Sequence, residues 1–489
     1  CGIAGFGNCQ IMMPLKGIHT CIDFHGKTPS SAKENMWEDL ILSETRDGFG
    51  FVLKDNVNDL GYQSVSTPGS LKAYYEAITD FGTWDWSDII KPAIKHAEDG
   101  FIVRPHIDFF WNYGANYGRV GLKQRLEFSK TGREAYFNKN GNLKRVGDHV
   151  KISGMAETLK KIAKFGPDVF YKGEIAEKIS EDMLTSGGLL SYSDLSSYAT
   201  TRTDPLSSKY RDFEIYTNQP PGGGVMLLEM LNVLENFELK NMAHNSSEYI
   251  RVVSEAMKRA TLDKEMFVGD PSFVNVPLDK LLSKEYALGV SNSIKQNERT
   301  FINRVTQIES KDTTHVSVID REGNCVTMTH SLGMPSGVIT DGLGFMFNGC
   351  MAVFDPRPGR PGSIVPGKSR FSSLAPTIVT KGGNPHIVLG APGGTQIAMG
   401  LLQAIVNVID FDMTMLEAVS APRFSSTSNI IDVTNRIPKY VTQELEKLDY
   451  HIVRSPLTFG IAAVHGIRIN NGKLDGGADP GHDGVALDI

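Results

Sequence analysis

The sequence predicts an α/β protein whose helical first part and sheet-rich second part share one sheet core. Three observations carry this reading. The chain has 489 residues, 40% hydrophobic and 22% charged, enough for two or three domain-sized units or for one large layered body. From about residue 69 to residue 300 the apolar positions recur mainly at helical spacing, as at Ile175, Ile179 and Met183. Near residue 312 the texture changes to β-rich runs, 314–320 and 324–332, around the turn Arg321-Glu322-Gly323.

The remaining elements follow in order. Residues 1–25, opening CGIAGFGN, are Gly- and Cys-rich and weakly strand-like. Pro220-Pro221-Gly222-Gly223-Gly224 breaks the chain just before a second helical pattern at 225–237. Strand-like runs at 386–389 and 461–469 flank a predicted helix at 396–409. The sequence contains no low-complexity tract and no repeat of 20–50 residues.

The totals narrow the function. A net charge of -6 and a sequence pI near 6.1 favour neither nucleic acid nor an anionic membrane surface. The longest apolar runs, such as 399–409, are too short to span a bilayer. No signal-peptide pattern opens the sequence, although a processed start would hide one. Cys1, Cys9, Cys21, Cys325 and Cys350 are odd in number, dispersed and without a CxxC spacing, which argues against a disulfide framework or a zinc site. A reducing compartment follows, the cytoplasm, with the periplasm or the exterior as the alternative if a segment precedes Cys1.

The chemistry gathers in residues 311–333, KDTTHVSVIDREGNCVTMTHSLG. A hairpin centred on Glu322 sets Thr313 opposite Ser331, His315 opposite Thr329 and Ser317 opposite Thr327. These positions share one face of the sheet, with opposed Cβ atoms about 4.5–5.5 Å apart. Val316, Val318, Val326 and Met328 project to the other face. Threonine-rich strands also arise from β-propensity alone, so neighbouring motifs must decide. Residues 390–400, GAPGGTQIAMG, read as a strand end, a Gly-Gly turn and a helix start. Adjacent N–H groups there can face a developing oxyanion. A phosphate cradle is the other reading, but no Walker lysine follows.

Together these stretches resemble the γ-glutamyltranspeptidase family of N-terminal-nucleophile hydrolases. The resemblance runs through 166–179, 186–198, 210–224, 269–277, 312–324, 369–379 (SRFSSLAPTIV), GAPGGT and 421–424 (APRF). It implies a four-layer αββα sandwich made as an inactive precursor. It also implies self-cleavage at Asp312–Thr313, giving a large-subunit region 1–312 and a small-subunit region 313–489 that starts with the nucleophile. By the same resemblance Thr313 attacks an amide carbonyl, Gly393 and Gly394 supply oxyanion N–H donors, and Thr329 and Ser331 orient Thr313. Neither a metal nor an organic cofactor is implied. The expected partners are a small-molecule amide and the two subunits of one precursor, with homo-oligomers open.

The family pattern breaks at the substrate. Glutamyl enzymes of the family place an arginine for the α-carboxylate where this chain has His25. They place an aspartate for the α-ammonium where it has Val353, after Ala352 and with Asp355 out of register. A substrate-touching asparagine is replaced by Gly333, whereas the serine pair is kept as Ser372 and Ser373. Histidine lacks the bidentate fork of arginine and valine cannot pair an ammonium, so the expected substrate is a small amide or N-acyl compound rather than a standard γ-glutamyl donor. Lys27 or Arg370 could supply charge. Acylases and amidases of small acids such as oxamate are divergent relatives of this kind. The alternatives are a γ-glutamyltransferase or glutathione hydrolase, and an inactive binding protein of the same fold.

CGIAGFGN also resembles the mature start of glutamine amidotransferases, which would make Cys1 the nucleophile. No matching arginine or Asn-Gly substrate loop follows it early in the chain. The same residues resemble the Gly-rich strand inside a γ-glutamyltranspeptidase-like large subunit, where Cys1 would be an internal residue.

Overall fold

The computed structural model describes residues 2–48, 50–112, 119–303 and 313–488; Cys1 and Asp312 lie outside them. Eleven strands form two sheets: β1 (Phe6–Met13), β2 (Ile18–Phe24), β3 (Thr201–Thr203), β4 (Leu206–Tyr210), β5 (Phe213–Thr217), β6 (Thr314–Ile319), β7 (Cys325–Ser331), β8 (Thr377–Lys381), β9 (Asn384–Gly390), β10 (His465–Asn470) and β11 (Lys473–Ala478). The orders are β6-β7-β1-β2-β3 and β11-β10-β9-β8-β5-β4. Each sheet takes strands from both sides of residue 312.

The sheets pack face to face and helices cover their outer faces, the αββα sandwich. Helices Gly224–Leu234, Ser247–Phe267 and Ile397–Ile409 share one large core with Ile215, Val379, Ile387 and Leu389 of the six-stranded sheet. The first of them, GVMLLEMLNVL, is buried on every side, as expected of a helix apolar all round. Over the five-stranded sheet, Ala73 and Ala77 of helix Ser70–Phe81 pack on Cys9, Ile11, Met13, Ile22, Phe24, Val326 and Met328. Strand β1 is buried along its whole length because both its faces are covered.

The β6–β7 register is the one expected: His315 pairs with Thr329 and Ser317 with Thr327. The hydroxyl-bearing face is the one turned toward the other sheet. Val326 and Met328 face the helix layer, whereas Val316 and Val318, on the edge strand, remain 41% and 50% exposed.

Two boundaries differ from expectation. A 3-10 turn at Gly394–Gln396 precedes the helix Ile397–Ile409. Residues 461–464 are a buried loop rather than strand, because Ala463 N donates to Pro392 O at 2.9 Å instead of joining a ladder, and β10 begins at His465.

Candidate active site

Thr313 stands immediately before β6, half-buried, and its Oγ1 lies 3.2 Å from Ser331 Oγ at the end of β7. Ser331 Oγ also accepts from Gly333 N at 2.8 Å. Behind this pair, His315 Nδ1 lies 2.9 Å from Thr329 Oγ1 and its Nε2 lies 2.8 Å from Ser317 Oγ. Thr327 Oγ1 crosses to the other sheet and donates to Leu389 O at 3.2 Å. The polar layer between the sheets is therefore hydrogen-bonded, as a dry interior requires. Burial pushes the His315 imidazole well below its ordinary range, so it is neutral. Its ring lies close against β9: a Cβ placed on Gly390 would sit 2.1 Å from it.

β9 leads into the glycine pair. Gly393 has φ +150 and Gly394 φ +56, and a Cβ on Gly393 would lie 2.7 Å from Ala462 Cα. The position admits glycine both for its dihedral and for its neighbour. Thr313 and Gly393 line one cavity of about 510 Å³. A second cavity of about 340 Å³, with Trp111, Leu126 and Ile152 in its wall, is also lined by Thr313.

The substrate-side residues sit apart from this cavity. His25 is 1% exposed. Its Nδ1 lies 2.8 Å from Asp23 Oδ2 and its Nε2 lies 2.6 Å from Ser372 Oγ, so both ring nitrogens are engaged inside the protein. Ser372 N donates to Pro221 O and Gly223 N donates to Leu374 O; the Pro-Pro-Gly-Gly-Gly turn thus backs Ser372 and Ser373, both buried. Gly333, with φ +68, lies beside the Arg370 guanidinium, whose Nη1 would be 3.0 Å from a Cβ there. An asparagine at 333 would have to displace that group. Arg370 is buried over the Phe6 ring, and burial lowers its pKa. Lys27 turns away to Ala199 O. Asp355 holds Arg357 through both carboxylate oxygens. Val353 ends a buried 3-10 turn.

Residues the sequence reading overlooked complete the cavity wall. Arg46, Arg119, Gln396 and Asp432 line it together with Thr313 and Gly393. Arg46 sits at the tip of a hairpin of Ile41–Glu44 and Phe51–Leu53, and Asp47-Gly48 is the turn signal that could have found it. Arg46 Nη2 lies 2.8 Å from Asp432 Oδ1. Asp47 Oδ2 accepts from Thr395 Oγ1 at 3.0 Å, one residue beyond the glycine pair. Gly50 packs on Ala352 O, where a Cβ would lie 2.2 Å away. Asp59 holds both Arg119 and Arg125 at 2.6 Å, fully buried, and the two guanidiniums keep its carboxyl far below the usual range.

Known proteins share this plan. The Acylase ACY 1 proenzyme of Pseudomonas sp. (strain V22) is 34% identical over 100% of this chain and 86% of its own length. The Glutathione hydrolase proenzyme of Escherichia coli (strain K12) is 34% identical over 86% of this chain and 73% of its own. A cephalosporin acylase from Bacillus halodurans superposes with a TM-score of 0.84 at 25% identity, over 99% of this chain and 86% of that one. With the Gamma-glutamyltranspeptidase family model also matching residues 1–489, the two-sheet sandwich and the hydroxyl-lined hairpin have their explanation: the chain belongs to the γ-glutamyltranspeptidase family of N-terminal-nucleophile hydrolases.

Proposed function

We propose that this chain is a self-processing amidohydrolase with Thr313 as its nucleophile, acting on an N-acyl compound that is not a standard γ-glutamyl donor. The observation that carries the reading is the placement of the Thr313 hydroxyl, hydrogen-bonded to Ser331, in the wall of the cavity that Gly393 also lines. The proenzyme names of both acylase and glutathione hydrolase relatives support a precursor cut in two.

Processing and catalysis use the same hydroxyl. In the uncut chain Thr313 Oγ1 attacks the Asp312 carbonyl carbon, the C–N bond breaks as the nitrogen takes the proton, and water hydrolyses the resulting ester. The products are a carboxyl on Asp312 and a free amine on Thr313. That amine has a reference pKa of about 7.7–8.0 and takes the hydroxyl proton near neutral pH, which an amide nitrogen cannot do. The alkoxide then attacks the substrate carbonyl, with the Gly393 and Gly394 N–H groups as oxyanion donors. Collapse expels the leaving amine, protonated by the Thr313 ammonium, and water releases the acyl group from the threonine ester.

On the substrate side, the engaged nitrogens of His25 argue against glutamyl α-carboxylate binding there, and the apolar Ala352-Val353 pair supports an acyl group lacking the glutamyl α-ammonium. The cavity volume exceeds the needs of a very small amide such as oxamate and suits a bulkier leaving amine, in keeping with an acylase. Intact-mass analysis of purified wild type is expected to show two fragments, the smaller starting at Thr313, and amine release from N-acyl anilides. An active enzyme with only an uncut chain would overturn the reading. Rapid turnover of a γ-glutamyl anilide would favour a glutathione hydrolase instead.

A further inference from the structure

We infer that the 340 Å³ cavity at Thr313 is an apolar subsite that seats an aromatic acyl group, of which phenylacetyl is the simplest probe. The inference rests on the amide-hydrolase reading above and names the acyl class of that reaction.

Thr313 lines both cavities, and an amide carbonyl at its hydroxyl has two substituents to seat. The two walls differ in chemistry. The larger cavity holds Gly393 and the charged side chains of Arg46, Arg119 and Asp432. In the wall of the smaller one no side chain among the described residues is charged. A carboxylate or ammonium entering it would lose its water without gaining a partner, whereas an apolar group is stabilised by leaving water. The order of events assigns the two spaces. The amine departs first, and water must then reach the threonine ester while the acyl group stays in place. The polar cavity beside the glycine turn serves the exchange of amine for water. The uncharged one serves the group that stays.

The aromatic class follows from the wall. Trp111 and Tyr136 meet edge to face, ring centroids 5.5 Å apart at 78°, and Phe345 adds a third ring to the lining. Such rings attract a further ring edge-on or offset, beyond the gain from burial alone. Burial pushes the Tyr136 phenol up to about 12, so it adds no charge. The volume is ample, since a cavity of about 150 Å³ already holds benzene. The wall is also preformed. Leu126 and Pro335 both line it, and Arg125, fully buried, joins their segments: its Nη1 donates to Pro335 O at 2.7 Å and its Nη2 to Asp59 Oδ2 at 2.6 Å. Leu332, another wall residue, directly follows Ser331, whose hydroxyl meets that of Thr313. The apolar lining therefore starts one residue from the reacting pair.

The test uses processed wild type, Ile152→Trp and Met155→Trp, both substitutions filling the cavity from its wall, with three 4-nitroanilides: phenylacetyl, acetyl and glutaryl. It adds calorimetric binding of phenylacetate and glutarate. Wild type is expected to prefer phenylacetyl over acetyl by about a hundredfold or more in kcat/KM, at about fourfold per buried methylene-sized group, and to bind phenylacetate more tightly than glutarate. Ile152→Trp is expected to cut the phenylacetyl-to-acetyl ratio by about tenfold or more, mainly through KM. An unchanged ratio in Ile152→Trp, whether both rates hold or both fall together, overturns the inference. Wild type favouring acetyl or glutaryl overturns it too and leaves the hydrolase reading standing. If Ile152→Trp fails to fold, the ratio in Met155→Trp decides in the same way. Should wild type hydrolyse none of the anilides yet bind phenylacetate, with binding weakened in the filled variant, the hydrolase reading fails and the subsite stands. Neither hydrolysis nor binding of phenylacetate overturns both.

Discussion

Two hairpins meet at the cavity and differ in what holds them. In the β6–β7 hairpin the side-chain hydrogen bonds that join its hydroxyls and its histidine lie within 18 residues: Thr313 to Ser331, His315 to Thr329, His315 to Ser317. In the 41–53 hairpin the contacts that place Arg46 and Asp47 span 386 and 348 residues. The first is fixed by strand register, where a one-residue slip would turn every hydroxyl away from the facing sheet. The second is fixed only when distant segments have already assembled. On the reading proposed above, the hydroxyls around Thr313 are set by local pairing, whereas Gly393, Arg46 and Asp432 are brought into the same cavity wall by long-range closure.

The sharpest way to break this comparison is to remove the proposed nucleophile. Thr313→Ala is expected to abolish self-cleavage and to lower amide hydrolysis by about a thousandfold or more, with the folded core intact by circular dichroism and only the full-length chain on a denaturing gel. Wild-type kcat/KM is expected to rise with pH through the free amine, near pH 7.7–8.0 by its reference value. A variant that still cuts itself would remove Thr313 from both roles. Gly393→Ala is next in size. Its Cβ would collide with Ala462 and shift the oxyanion turn, with an expected loss of about 10²–10³ in kcat. Stopped-flow release of 4-nitroaniline measures it, and an effect confined to KM would contradict the assignment.

How far the sequence reached follows the same division. The β6–β7 register, the inward hydroxyls and the glycine turn were all readable because a period of two and a single turn determine them. Arg46 was not, since nothing near residue 46 states that Asp432 will hold it or that Thr395 will donate to its neighbour Asp47. His25 was located in the sequence, but its two partners were not visible there; Ser372 lies 347 residues away. The loop at 461–464 was read as strand because Ile461-Ala462-Ala463-Val464 is apolar, and burial alone does not distinguish a strand from a packed loop. The helical layer covering the six-stranded sheet was legible because its apolar periodicity is strong over a full helix.

Asp59 sharpens the long-range side. It carries Arg119 and Arg125, and Arg125 Nη1 donates to Pro335 O at 2.7 Å just beyond Gly333. Asp59→Asn leaves two buried guanidiniums with a neutral partner, at an expected cost of about 3–5 kcal/mol in stability, read as a lower urea midpoint. The sign with pH is fixed by the depressed carboxyl. Its contribution is fully present above the unfolded carboxylate value and fades as pH falls below about 3.9. The gap between wild type and Asp59→Asn is therefore expected to narrow in acid. A constant gap would mean that the ion cluster is not what Asp59 contributes.

His315 gives the smallest expected effect and joins the two halves of the comparison, since it belongs to the nucleophile hairpin yet packs on Gly390 of the strand leading to the glycine pair. It is expected to act as a positioning residue, through Thr329 and through the spacing between the sheets. His315→Leu removes both hydrogen bonds and leaves the Thr329 and Ser317 hydroxyls to find others, at an expected cost of about 1–3 kcal/mol. His315→Gln can restore one of them and is expected to recover part of the loss. Because burial holds the imidazole neutral, the unfolded chain binds the extra proton; wild-type stability should decline as pH drops below about 6.5, and neither variant should show that component. A purely structural histidine would alter stability alone. If His315 sets the approach of Thr313 to Gly393, kcat falls in His315→Leu while KM holds, measured where both proteins are fully folded. A fall in KM alone, or no kinetic change, would separate the inter-sheet hydrogen bonds from the reaction and leave register as the sole determinant of the nucleophile's position.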